Sequence, residues 1–213
     1  MPIRFDKPEC VRQVPPHIDP EQLKRDLEVL YKKALNAGAI DTAIISAADV
    51  VFNPEVKARV DADDGYPSIH WPLDYPKDNV EEAVRAFQYG VFFRVEVIDP
   101  HMPNYGGGPI SNPAHRQNYL QVYEIVTLLE SASFYMAYHL ALGFPTGNCR
   151  SIFCADEKRC WPMLKGRVCI HPYKGRPSME AAGIDAAAMA KKLKWELPGG
   201  EAVPLLAGLV MVA

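Results

Sequence analysis

From Leu23 onward, apolar residues recur at spacings of three and four, with Leu23, Leu27, Leu30 and Ala34 on one face, which predicts a helix. Asp19-Pro20-Glu21 supplies its N-cap, a proline at the first helical position and an acidic first turn, and Gly38 marks its end. The run TAIIS at 42–46 predicts a strand, and Asn53-Pro54 a turn leading into a short piece. Val80, Ala83, Val84 and Phe87 predict a second helix closed by Gly90, followed by the strand VFFRVEVI at 91–98. Asn112-Pro113 opens a long helix carrying Tyr119, Val122, Val126, Leu129, Ser133, Met136 and Leu140, predicted to reach Leu142 and stop at Gly143. Asp185 caps AAAMAKKLKW, and LLAGLVMV at 205–212 reads as a buried strand.

Between these elements lie two stretches without a period. Residues 61–78 interleave Pro, Gly and Asp with large aromatics and predict an ordered loop, and 99–112, rich in glycine and proline, predict a long loop. The pattern as a whole predicts an α/β domain, with α+β as its variant. Residues 1–213 are expected to form that single compact domain, with a mixed sheet, flanking helices and a cysteine-rich loop at 148–172.

Composition adds exclusions. With 48% hydrophobic and 23% charged residues the chain is that of an ordinary globular protein, needing no disulfide scaffold. A net charge of -3, with basic residues scattered, gives no footprint for nucleic acid. Neither a signal peptide nor an apolar run of membrane-spanning length stands in the sequence, so a cytoplasmic protein is expected, with no membrane partner. No nucleophile elbow, HExxH or CxxC motif is present, which removes the support for hydrolase, zinc protease and thioredoxin readings.

Four of the five cysteines lie in NCRSIFCADEKRCWPMLKGRVCIHP, residues 148–172. Cys149, Cys154, Cys160 and Cys169 are separated by four, five and eight residues, close enough for four thiolates to reach one centre. A reducing compartment disfavours disulfides between them. Structural zinc prefers pairs two to four residues apart, and only the first gap fits. A 4Fe-4S cluster takes four thiolates at wider spacing, with apolar cover, for which Phe153, Trp161, Pro162 and Ile170 are candidates. The iron-sulfur reading leads on spacing, zinc follows, and unrelated thiols remain a third reading.

The run CIHPYKGRPSMEAAGIDA at 169–186, with ALGFPTGNC at 141–149 before it, resembles the C-terminal signature of the DUF2284 family of predicted metal-binding proteins. In that family, cysteines precede a His-Pro and then Pro-Ser-Met-Glu-Ala and Gly-Ile-Asp. Upstream, SAADVVFNPEVKARV, Tyr66 and Trp71-Pro72 stand where the family carries further cysteines around a Cys-Pro-Pro motif. Here Asp61, Asp63, Asp64 and His70 occupy that region. The resemblance implies one cysteine-ligated metal centre, iron-sulfur in the first place, without a second cysteine centre or a defined substrate.

His171 and Arg176 are candidates to stand behind the thiolates, as donor and as compensating charge beside Lys174. Glu180 is expected to accept from backbone donors, and Glu130 and Tyr138 to face solvent or a neighbour. His70, His101, His115 and His139 show no ligand spacing, and the question of a second metal site in the 61–72 or 99–116 loops stays open. YGGGP at 105–109, with Arg116 after it, is expected to be a connector in preference to an anion site, and Cys10 an incidental thiol. The expected function is therefore a 4Fe-4S protein in redox chemistry, leaning toward an enzyme or enzyme subunit over an electron carrier. Its partner would be a redox protein or a small-molecule substrate, and a homo-oligomer is open. The alternative is a non-catalytic zinc-binding structural or interaction module.

Overall fold

The computed structural model describes residues 18–61, 79–99, 110, 112–157, 160–163, 168–196 and 205–213. Cys10, Asp63, Asp64, His70, His101 and the 105–109 segment lie outside these residues, and of Asp61 only the backbone is described. The elements in chain order are α1 (Pro20–Asn36), β1 (Ala39–Ser46), α2 (Pro54–Asp61), α3 (Val80–Arg85), β2 (Tyr89–Val95), α4 (Pro113–Tyr135), β3 (Leu142–Pro145), α5 (Cys149–Phe153), α6 (Ala186–Lys192) and β4 (Ala207–Met211). The strands form one sheet in the order β1-β2-β4-β3.

Helices sandwich this sheet. Val91, Phe93 and Val95 of β2, with Val210 of β4, point to one face and pack against Leu23, Leu27 and Leu30 of α1 and Val122, Val126 and Leu129 of α4. The alternate residues Phe92, Ala207, Leu209 and Met211 point to the other face, meeting Val84, Met179, Ile184 and Met189. Strand alternation thus sends successive side chains into two cores, each fully buried Leu or Phe contributing about 1.5–3 kcal/mol. Burial on both faces explains why β4 is apolar throughout.

The α/β expectation holds. Every described strand pairing is antiparallel, however, where a mixed sheet was expected. Hydrophobic alternation identifies a strand without fixing its direction, since either sense buries the same positions.

Capping explains the hits and the overruns. Asp19 accepts from the Glu21 N–H, Asn112 from Ala114 and Asp185 from Ala188, each at a helix start that the sequence marks. α4 ends at Tyr135, well short of Leu142: Ala137 takes φ 75°, and the Tyr138 N–H donates to the Ser133 carbonyl, the six-to-one bond of a Schellman cap. An alanine in the place usually held by glycine gave no stop signal. Leu140, expected on the buried face, is 73% exposed. Gly90 does not close α3; it sits in β2, where a Cβ would lie 2.8 Å from the Val210 carbonyl oxygen of β4.

Candidate metal centre

The four cysteines are delivered from the sheet edge. β3 is the edge strand beside β4, and the Thr146 N–H donates to the Ala207 carbonyl while its hydroxyl oxygen accepts the Ala207 N–H, extending the pairing one residue past Pro145. Gly147 then reverses the chain with φ 83°, and a Cβ there would lie 2.5 Å from the Tyr119 ring. Asn148 caps α5 by accepting the Arg150 N–H at 2.8 Å, and Cys149, the first residue of that helix, is buried. Cys154 follows the last turn of α5, and Cys160 precedes a single 3₁₀ turn at Trp161–Met163. Cys169 precedes a tight turn in which Lys174 and Gly175 N–H groups donate to the His171 carbonyl.

All four are reduced thiols and line one cavity with Arg150, Phe153, Trp161, Pro162, Ile170, His171 and Gly175. The cavity encloses about 10 Å³, the scale of one water. Among the described residues no group of three or more Cys, His, Asp or Glu side chains stands in an array that would hold a single ion. The sulfurs therefore share a cavity without converging on one point.

Their electrostatics show what would draw them together. Burial first, then the neighbouring Cys160, Cys169 and Cys154, pushes the Cys149 thiol up to about 12, eased by the main chain at Arg176. Burial, then Cys169 and Cys160, also raises Cys154, eased by Arg150. Four thiolates cannot accumulate in so small a space unless a cation compensates them. A thiophilic metal supplies that compensation, so the donor set fits a metal, with Cys149, Cys154, Cys160 and Cys169 as the residues that would hold it.

The surroundings differ in part from expectation. The His171 main-chain N–H donates to Cys169 Sγ at 3.3 Å, while its ring lies tilted against Phe153, centroids 5.6 Å apart. Arg176 turns its guanidinium to Glu130, with Nε and a terminal nitrogen at 2.8 and 2.6 Å from Glu130 Oε2. Glu130 is thus satisfied by a neighbour, as expected, in a part-buried ion pair. Tyr138 donates to Asp26 Oδ2 at 2.8 Å and plays no part at the centre. Lys174 sits over the Phe153 ring. Glu180, raised by burial, accepts the Gly147 N–H at 3.3 and 3.4 Å, supporting the turn ahead of Cys149. Tyr123, raised well above the ordinary tyrosine range by burial and then by Cys149 and Glu180, donates to the Gly147 carbonyl at 2.8 Å. His115 pairs with Asp99 at 3.0 Å and His139 stacks on Phe134.

Sequence reasoning missed Arg150, the cation in the cavity wall, whose position follows only from its place one residue after Cys149 in a capped helix. It missed Tyr123 as well, because a tyrosine in a helical stripe looks like core.

The profile of the DUF2284 family, described as predicted metal-binding proteins, matches residues 43–212. The chain belongs to this family. No curated protein and no solved structure matched the chain.

Proposed function

We propose that the protein holds a 4Fe-4S cluster on Cys149, Cys154, Cys160 and Cys169 and takes part in redox chemistry. The observation that carries this reading is one cavity lined by four thiols, covered by Phe153, Trp161, Pro162 and Ile170, with Arg150 in its wall. When bound, the cluster would supply one-electron transfer. Its potential would be set by burial and by hydrogen bonds to sulfur, for which this chain offers the His171 main-chain N–H on Cys169. Arg150 offsets the negative charge that four thiolates bring.

An enzyme or enzyme subunit is favoured over a carrier by what borders the cavity. Phe153 also lines an open groove of about 330 Å³, together with Tyr123, Thr127, Leu128, Ser131 and Lys174. That volume is the size of a small-molecule site, separated from the thiols by one ring. A redox protein would then serve as electron donor or acceptor.

Anaerobic purification followed by iron, zinc and acid-labile sulfide analysis tests this directly. The expected result is roughly four irons and four sulfides per chain, with broad absorption near 400 nm. One zinc per chain with no sulfide would replace the cluster by a structural zinc site.

A further inference from the structure

The ion pair between Glu130 of α4 and Arg176 lies outside the cavity, yet Arg176 is adjacent in the chain to Gly175 in the cavity wall. The two side chains are 14% and 17% exposed. Both Arg176 contacts fall on Glu130 Oε2, which leaves Oε1 to accept the Gly143 N–H at the start of β3, at 2.8 Å. Glu130 therefore joins three segments: its own helix, the strand that leads to Cys149, and the return segment that carries Arg176. Arg176 in turn directly follows Gly175, which lines the cavity. A buried ion pair adds little net stability over an apolar pair, because desolvation offsets attraction, so fixing a geometry is the use that this arrangement fits.

We propose that Glu130 is a positioning residue of the metal centre: by tying the Arg176 side chain to the start of β3 it fixes the return segment, whose Gly175 lines the cavity, against the strand that leads to Cys149, and so sets how tightly the cysteines hold the metal. This rests on Cys149 being a ligand. Glu130→Gln is the selective variant, since its side-chain oxygen can still accept the Gly143 N–H while its amide loses the charge that pairs with Arg176. The Arg94–Asp41 ion pair, 2.5 Å apart, joins β2 to β1, the edge strand opposite β3, so Asp41→Asn breaks a comparable pair away from the cysteines.

The test compares wild type, Glu130→Gln and Asp41→Asn, each purified anaerobically, by chelator competition for the bound metal, by visible and paramagnetic spectra, and by exchange of the Lys174 and Gly175 amides, which donate to the His171 carbonyl, in the metal-free form. Glu130→Gln is expected to lose about 10–100-fold in metal affinity, to alter the spectra and to exchange these amides faster, while Asp41→Asn changes none of these. Unchanged affinity and amide exchange in Glu130→Gln, or equal losses in both variants, would overturn the positioning role. A wild-type protein that retains no metal would instead overturn the metal reading itself, and with it this one.

Discussion

Cys149 is 8% exposed at the start of α5, and its thiol is pushed from the ordinary 9.0 up to about 12 by burial and by the three neighbouring cysteines. Because the folded value is raised, the stability linked to this thiol is fully present below pH 9 and is lost as pH rises through about 12. The metal-free protein should accordingly lose stability in that alkaline window, and replacing Cys149 with Ser should flatten the loss, as measured by denaturation at stepped pH. Alkylation of the metal-free protein followed by mass spectrometry should modify Cys149 last among the four, since Cys154, Cys160 and Cys169 are each more exposed. Equal rates at Cys149 and Cys169 would contradict this burial. The count and spacing of these residues are legible in the sequence. What is not legible is their inequality, which comes from α4 and the Arg176 turn closing over one cysteine only.

At the scale of elements, legibility follows where the signal is local. Asp19, Asn112 and Asp185 are side-chain caps, and each predicted helix start lies where its cap places it. β3 was not expected, the predicted helix reaching only its first residue, because LGFP alone carries no alternation, and only its pairing with β4 makes it a strand. That missed strand is the one that matters most for the site, since it aims Asn148 and Cys149. Its exit depends on Gly147, where both φ 83° and the Tyr119 ring exclude a side chain. Gly147→Ala should cost about 2–3 kcal/mol in chemical denaturation, combining a left-handed alanine with a displaced ring. It should also lower metal content, because the Glu180 and Tyr123 hydrogen bonds to this residue would shift with it. A variant as stable as wild type would show that the turn has slack.

For the whole molecule, the two cores and the cysteine segment are held by different physics. The sheet buries both faces against helices, as its alternating Val, Phe and Leu positions already imply in the sequence. Among the described residues from Cys154 to Gly175 the main-chain hydrogen bonds are short turn contacts, among them Glu157 to Cys154 and Lys174 to His171, and Val168, Ile170 and Tyr173 are exposed. Such a segment lies at the low end of local stability unless a ligand ties it down. Met179, whose N–H donates to the Pro145 carbonyl, marks where the chain rejoins the core. Hydrogen exchange should therefore divide the molecule by metal: removal by chelator should speed exchange across 154–175 and leave β2 and β4 protected. If β2 and β4 lost protection in step with the cysteine segment, the metal would be stabilising the fold as one unit, as in a domain that folds only when loaded. Protection confined to 154–175 would mean that the fold stands first and the centre is built on its edge.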